Sequence, residues 1–584
     1  MAKLLDKENA PFEKVDAESA GKLAEEAVKD PHHVKAMKPL PSRKMKKEVP
    51  LMDCFVAPCK EGCPIHQDIT TYLQLVGEEK YEEAMEVITE KNPLPFITGT
   101  ICAHNCMSKC TRNFYETSVH IREMKLKAAE NGYEALLEKL PVPAVTKAGK
   151  AAVIGGGPAG MAAAYFLRKG GMEVTLFEAK ESLGGVVRHV IPPFRISEDA
   201  IEKDAEILRK MQVDIHCNTK LESLEELKKQ GYTKIVLAVG APVQGSLKLE
   251  SGMPKNALEF LAEFKQTDGK VSLGKHVVVI GGGNTAMDTA RAAKRNAGVE
   301  HVYLIYRRTR RYMPADEEEL VMALEDGVEF KELLSPVKLE NGQLFCKVMQ
   351  LSDYDVSGRR GVTETGETVW VPADTVIAAV GEKVPTDWYQ ANGLAVSEKG
   401  RLYVDEKTLK TSDDNVYAAG DGLYGPATVV EAIRDGRKVA EAIAGEVLAC
   451  DFDKLAEEEK VYAKRGVLKE EQKETKEAGR CLGCSTICEN CVEVCPNRAN
   501  IAIQVPGMEK HQIIHVDYLC NECGNCKSFC PYSSAPYLDK FTLFATEADM
   551  ENSKNQGFAV LDQETRRCKV RFFGKNFIVG TGET

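Results

Sequence analysis

Cysteine carries the densest chemistry in this chain. Nineteen occur in 584 residues, and most fall into two groups near opposite ends. The later group contains Cys520-x2-Cys523-x2-Cys526-x3-Cys530-Pro531, the bacterial [4Fe–4S] spacing in which the fourth cysteine ligates the neighbouring cluster. Its mate is Cys488-x2-Cys491-x3-Cys495-Pro496, preceded by Cys484 with one residue too many and by Cys481. Two [4Fe–4S] clusters are expected, one on Cys484, Cys488, Cys491 and Cys530 and the other on Cys520, Cys523, Cys526 and Cys495, with Cys481 an alternative to Cys484. A zinc ribbon competes, but doubled runs closed by Cys-Pro are not zinc spacings. The earlier group, Cys54, Cys59 and Cys63 followed by Cys102, Cys106 and Cys110, flanks a helical stretch that would bring two triplets together. Its spacings suit iron–sulfur ligation better than zinc, whose structural sites usually open with CxxC; buried structural cysteines are the other alternative.

Two glycine turns carry the remaining chemistry. AAVIGGGPAG at 151–160 places Gly155-x-Gly157-x-x-Gly160 after a strand and before a helix. The first glycine turns tightly, the second admits a pyrophosphate, and the third lets helix pack on strand. Pro158 and Ala159 open that helix, whose first amides would face phosphate. The next strand, EVTLFEAK, carries Glu178, where an acid would bind a ribose hydroxyl. The second turn, in HVVVIGGGNTAMDTARAA, reads Gly281-x-Gly283-x-x-Ala286, with Asn284 and Thr285 at the helix start. Its following strand, HVYLIYRRTRR, ends in Arg307 and Arg308 instead of an acid. Guanidinium forks hold a ribose 2′-phosphate, so NADP(H) is expected here; a solvated basic strand end is the alternative.

Positioning these sites takes several domains, and 64.3 kDa with 43% hydrophobic residues is ample for three or four. The net charge of −11 is spread over mixed-sign segments, which gives no nucleic-acid footprint. No apolar run is long enough for a membrane, and MAKLLDKENAPFEK lacks a signal-peptide core, so a cytoplasmic location is expected. Many cysteines in such a chain argue for metal or cluster ligation over disulfides. Cys217, Cys346, Cys450 and Cys568 stand alone and read as structural; no CxxC lies in either nucleotide domain, so no dithiol is expected to take electrons there.

MDCFVAPCKEGCPIHQDI, NPLPFITGTICAHNC and CTRNFYE, with the first glycine turn behind them, resemble the small subunit of NADPH-dependent glutamate synthase and the N-terminal half of dihydropyrimidine dehydrogenase. The resemblance implies two N-terminal [4Fe–4S] clusters, with Cys54, Cys59 and Cys110 on one and Cys63, Cys102 and Cys106 on the other. The family usually has a further cysteine where Leu51 stands, so one cluster is short of a thiolate; His66, His104 and Glu116 are the nearby candidates for additional ligands. It also implies FAD at the first turn. LGGVVRHVIPPFRI resembles a flavin-contacting segment, with Gly184, Gly185 and Arg188 at the cofactor. TSDDNVYAAGDGLYGPATVVEAIRDGRKVAEAI resembles the second flavin signature, with Gly420 and Asp421 at the ribityl or pyrophosphate part and a helix starting near Ala427 and Thr428 aimed at the isoalloxazine. The order FAD half, NADP insertion, FAD half resembles the thioredoxin reductase-like flavoproteins. With its tail, nearly the whole chain resembles the bacterial selenate reductase-type flavin and iron–sulfur subunits, which are found near molybdenum-dependent purine hydroxylases.

The expected fold is therefore multidomain. An extended arm at 1–50 precedes a helical iron–sulfur domain at 51–145. A Rossmann-type FAD-binding domain at 146–250 and 373–450 is interrupted by a Rossmann-type NADP(H)-binding domain at 251–372. A charged linker and an α+β bacterial ferredoxin-like domain with two clusters fill 451–584. The expected function is an NADP(H)-linked FAD and iron–sulfur oxidoreductase subunit. It would exchange hydride with NADP(H) and pass single electrons through [4Fe–4S] clusters to or from a larger partner subunit, such as a molybdenum-dependent hydroxylase, with no membrane or nucleic acid involved. A free-standing NADPH:ferredoxin-type or glutamate synthase-type reductase is one alternative, and a non-catalytic redox sensor or scaffold another. Fold and cofactors do not fix the terminal reaction.

Overall fold

The computed structural model describes residues 21–22, 25, 44–53, 55–114, 117–354, 360–452, 454–464 and 477–580. The arm expected at 1–50 lies mostly outside the described residues. Its described end runs beside the C-terminal unit, where Met45 bridges to Tyr532 and the Val49 amide donates to Ser534 Oγ at 2.8 Å.

Two five-stranded parallel sheets carry the two glycine turns. The first has the order Val416–Ala418, Tyr232–Leu237, Lys150–Ile154, Glu173–Phe177, Asp214–His216. Its central strand, with Ala151, Ala152 and Val153 inaccessible, is the continuous apolar run that a parallel strand covered on both faces requires. Helices Pro158–Lys169 and Val429–Ala444 pack against each other beside it.

The second sheet has the order Lys255–Asn256, Thr375–Ala378, His276–Ile280, His301–Tyr306, Glu329–Glu332. An antiparallel meander, Leu334–Glu340, Gln343–Tyr354 and Arg360–Pro372, covers one face, where Leu344, Cys346 and Val371 meet Val278, Ile280 and Ile305. This sheet corrects one boundary. The sequence expectation returns the chain to the flavin domain at 373, through TVIAAVGEKV, yet Thr375–Ala378 pairs with His276–Ile280 in the register Val376↔Val278 and so belongs to the insertion. An apolar strand run declares burial but not which of two similar sheets will bury it. The actual return passes through the short pair Val243–Gln244 with Glu382–Lys383, and the flavin-side sheet is completed at Val416–Ala418.

Ahead of these sheets, helices Ile69–Gly77, Tyr81–Lys91, Pro95–Ile101 and Ile121–Lys139 share one continuous core with the first sheet. Fully buried Asp204, on helix Glu198–Lys210, links the two parts, accepting from the Phe96 amide at 3.1 Å and the Ile97 amide at 2.8 Å. It thereby satisfies the first free amides of Pro95–Ile101, which has no side-chain cap of its own.

The C-terminal unit is a six-stranded sheet in chain order: Asn500–Ile503, Gln512–Val516, Phe541–Phe544, Gly557–Asp562, Arg567–Phe572, Lys575–Val579. The first and the last two pairings are antiparallel and the two between are parallel. The cysteine runs flank the first two strands, and the six-stranded sheet is larger than the compact ferredoxin-like unit expected from the spacing. Among the described residues no helix is long and apolar enough to cross a membrane.

Candidate cofactor sites

The first glycine turn is packed too closely for side chains. A Cβ on Gly160 would lie 1.9 Å from the Gly155 carbonyl oxygen, so the helix can sit on its turn only with glycine there. Gly157 is different: its Cβ would meet only the Gly185 Cα, at 3.8 Å, and its backbone is open to approach. It caps Pro158–Lys169 without any side-chain acceptor, leaving the amides of Ala159 and Gly160 for a ligand, while the Met161 amide donates to the Gly157 carbonyl at 2.9 Å. Glu178 is buried, and its carboxylate accepts from the Gly156 amide at 2.6 Å and the Lys180 amide at 2.8 Å. The acid expected at a ribose thus also braces the turn.

Gly184 and Gly185 lie against this turn, but Arg188 is engaged elsewhere. Its guanidinium donates to Glu202 at 2.5 Å and pairs with Glu198 at 3.6 Å. Gly420 packs on Ala159, and Asp421 accepts from the Ala427 amide at 3.0 Å. Burial raises the Asp421 carboxyl, with the Ala427 amide opposing. Helix Val429–Ala444 opens with a complete capping box, Thr428 Oγ1 accepting from the Glu431 amide at 3.3 Å and the Thr428 amide donating to Glu431 at 3.1 Å. The amides of Ala427 and Thr428 are therefore satisfied inside the chain, and the helix presents its field, not those two donors.

At the second turn, Gly283 caps Asn284–Arg295 without a side-chain acceptor, and a Cβ on it would meet nothing within 4 Å. Asn284 accepts from the Asp316 amide at 2.9 Å, Thr285 contributes its carbonyl to Thr289 at 2.6 Å, and Ala286 is inaccessible at the base of the helix. Arg307 is exposed just past His301–Tyr306, while Arg308 Nε donates to the Arg360 carbonyl at 2.7 Å.

A strap that motif reasoning missed joins the two nucleotide domains. Following Gly185, the chain runs to Phe194, whose ring lies 5.1 Å from the Arg291 and 4.4 Å from the Arg295 guanidinium carbon. Next to it, Arg195 donates to Asp288 at 2.8 Å and also to Glu319. Burial pushes the Asp288 carboxyl up to about 6 against the opposing effect of Arg195, and raises Glu319 as well. The only sequence signal was Asp288 itself, an acid in a helix whose other charged residues are all basic.

The cysteines fall into neighbourhoods, with Cys54 and Glu116 outside the described residues. Cys63 and Cys106 are raised by burial, and each by Cys102 or by the other, while buried Lys125 acts on both in the opposite sense. Burial raises Cys59 well above the ordinary thiol range, and Cys110, Cys481, Cys484 and Cys106 add to it. Cys488 adjoins Cys484. Cys491 sits in the turn Asn490–Glu493, and Cys530 ends Asn525–Phe529 as a buried residue. Cys495, Cys520, Cys523 and Cys526 line one cavity together with His515 and Asn500. There the Ala499 amide donates to Cys495 Sγ at 3.1 Å and the Glu522 amide to Cys520 Sγ at 3.3 Å, contacts of the kind that tune a cluster.

Of the other candidates, His104 faces the insertion, 3.2 Å from Glu318, and His66 is exposed, 4.0 Å from Glu61. Cys346 is inaccessible, its thiol pushed up to about 12 by burial; Cys450 is exposed, and Cys217 and Cys568 are half-buried. Among the described residues no three His, Cys, Asp or Glu side chains converge on a single-ion site. Mostly buried or half-buried all-sulfur sets fit cluster ligation, and the open backbones at Gly157 and Gly283 fit dinucleotides.

Comparison with known proteins agrees with this arrangement. Residues 149–436 match the pyridine nucleotide-disulphide oxidoreductase family, and residues 40–135 match dihydropyrimidine dehydrogenase domain II, 4Fe-4S cluster. The chain is 40% identical over 578 residues to YgfK of Escherichia coli (strain K12), covering 95% of this chain and 55% of that protein. It thus spans about half the length of this relative. It is 34% identical over 433 residues to the NADPH-Fe(3+) oxidoreductase subunit beta of Geobacter sulfurreducens (strain DL-1 / KN400), covering 67% of this chain and 64% of that subunit. It is also 34% identical over 423 residues to the glutamate synthase [NADPH] small chain of Azospirillum brasilense, covering 67% of this chain and 86% of that one. The chain belongs to the glutamate synthase small chain family of NAD(P)H-dependent flavoprotein oxidoreductases, with FAD- and NADP-binding folds behind an N-terminal 4Fe-4S domain.

Proposed function

We propose that this chain is the NADP(H)-linked electron-transfer module of a larger enzyme, binding FAD at the first glycine turn and NADP(H) at the second, and exchanging electrons with a partner subunit through thiolate-held clusters. The observation that carries the reading is the pair of uncapped helices, Pro158–Lys169 and Asn284–Arg295, each opening on a glycine backbone with room before it, in two domains tied by Arg195. FAD, when bound, supplies the exchange between hydride pairs and single electrons that no side chain can perform.

The chain's own residues bind and orient. The amides of Ala159 and Gly160 and the Gly157 backbone would receive a pyrophosphate, Glu178 would turn its remaining lone pairs to a ribose hydroxyl, and Asp421 would face the polar part of the same ligand. Arg307, exposed, and Arg308 beside it would receive a 2′-phosphate. Cys63, Cys102 and Cys106 serve one N-terminal cluster, and Cys59 and Cys110 another. In the tail, Cys495, Cys520, Cys523 and Cys526 hold one cluster and Cys484, Cys488, Cys491 and Cys530 the other. The subunit names of relatives, including a formate dehydrogenase subunit beta and the glutamate synthase small chain, support a docked partner.

Anaerobic stopped-flow bleaching of the flavin tests this. NADPH should act faster than NADH, and removing both Arg307 and Arg308 to alanine should erase most of the preference. Each charged hydrogen bond lost is worth about 1.5–3 kcal/mol, roughly 10- to 100-fold in kcat/KM for NADPH. Equal wild-type efficiency with NADH would refute the nucleotide assignment.

A further inference from the structure

The ferredoxin-type spacing needs eight cysteines for two clusters, and 484 to 530 already supply them; Cys481 is a ninth. Its surroundings, shared with Cys484, are those of the N-terminal unit. The turn Glu477–Arg480 lies on the N-terminal helical unit, with Ala478 buried beside Gly77. Glu477 accepts from the His120 amide at 2.8 Å, ahead of Ile121–Lys139. Arg480 donates to the Thr117 carbonyl at 2.6 Å and the Ser118 carbonyl at 3.2 Å.

Both sides of Cys481 are then fixed on the residues that follow Cys110. On one side Arg112 Nε donates to the Arg480 carbonyl at 2.8 Å, and on the other Cys484 Sγ lies 3.4 Å from Thr111 Oγ1. Ser485 continues the contact, 2.9 Å from Thr70. Cys481 and Cys484 pack on the same core that holds Cys59, with Cys110 beside it. Cys110 lies within electrostatic reach of Cys481, and Cys481 within that of Cys59.

We propose that Cys481 is a ligand of the N-terminal cluster, joining Cys59 and Cys110 from the far end of the chain and leaving Cys484 to the ferredoxin-type run. The proposal rests on reading the N-terminal cysteines as cluster ligands. It makes that site a junction, since Cys484 borders both Cys110 and Cys488, so the N-terminal cluster and the first tail cluster are neighbours.

The test uses the full chain purified anaerobically, with iron per flavin and EPR of the dithionite-reduced protein as readouts. Cys481→Ser and Cys110→Ser should each lose the same EPR component and about four iron atoms. Cys526→Ser should lose a different component, and Cys568→Ser none. Cys481→Asp, which restores an anionic ligand, should recover iron with a shifted spectrum, a rescue that a packing role would not give. As a measurement independent of cluster stability, the air-oxidised wild-type chain, after cluster loss, should yield a Cys481 disulfide to Cys59 or Cys110 in peptide mass mapping. Wild-type iron and spectrum in Cys481→Ser, loss of the component that Cys488→Ser loses, or Cys481 paired only within 484–530 would each overturn the proposal. Iron absent from the wild-type chain would overturn the cluster reading itself and this inference with it.

Discussion

Replacing Arg195 with alanine probes the link between the two nucleotide domains. Arg195 is the cation shared by Asp288, 2.8 Å away, and Glu319, and the side chains of all three are at least 85% buried. Removing one partner from such a set leaves buried charge uncompensated, which costs about 3–5 kcal/mol. The size depends on pH, and the sign follows from Asp288. Its folded-state carboxyl sits at about 6 against an ordinary 3.8, so between these values the folded protein holds a proton that the unfolded chain has released. That contribution, about 3 kcal/mol from the difference, is complete below pH 3.8 and is lost as pH rises through 6. Without the guanidinium the carboxyl moves higher still. Arg195→Ala should therefore lose most stability at pH 8, where both carboxylates are ionised, and distinctly less at pH 5, where Asp288 is protonated. Urea unfolding followed by tryptophan and flavin fluorescence at the two pH values measures this. Equal losses at both pH values would refute the electrostatic account and reduce Arg195 to a packing residue.

Other perturbations separate packing from ligand contact. Gly160→Ala, whose Cβ would lie 1.9 Å from the Gly155 oxygen, should cost about 1–3 kcal/mol or more and give protein purified with little flavin; Gly283→Ala, with nothing within 4 Å, should leave the Tm unchanged while raising the KM for NADPH. Asp204→Ala orphans the buried amides of Phe96 and Ile97 and should destabilise by about 1–3 kcal/mol for each, with Asp204→Asn losing less, as read from denaturant midpoints. Cys523→Ser combined with Cys526→Ser should leave NADPH bleaching of the flavin intact while removing about four iron atoms and abolishing partner turnover; turnover that survives would place electron exit at the N-terminal cysteines.

The glycine turns were legible because phosphate binding makes a local demand: strand, turn and helix must follow one another in the chain, so the pattern is written contiguously. The cavity lined by Cys495, Cys520, Cys523 and Cys526 was legible for a similar reason, its cysteines lying within two short runs. What stayed hidden depends on pairing between distant segments. Thr375–Ala378 has the same apolar character as Tyr232–Leu237, and only the register with His276–Ile280 assigns it to the insertion. Arg195 could be any arginine after a Pro-Pro-Phe run until Asp288 and Glu319 are seen to bury against it. Cys481 looked like a variant of the tail motif because spacing counts neighbours along the chain, whereas the contacts of its neighbour Arg480 run to residues 362 to 368 positions earlier.

These long-range contacts differ in kind across the molecule, and the difference bears on which parts can move. The N-terminal helices and the flavin-side sheet form one apolar core, with Ile97, Tyr165 and Leu208 wholly or nearly inaccessible. Separating them would expose that core, so the cysteine sites and the first glycine turn are held at fixed distance. The insertion has cores of its own and meets the rest largely through polar and cationic contacts: Arg195 with Asp288 and Glu319, Arg122 and His104 with Glu318, and Phe194 against two guanidinium groups. Contacts of this type can be exchanged for water at modest cost, as between domains that shift relative to one another. The division matches the chemistry proposed for each part. Electron passage between clusters needs fixed spacing, whereas a pyridine nucleotide must arrive and leave on every turnover, and the polar junction is the one that joins the insertion carrying the second glycine turn.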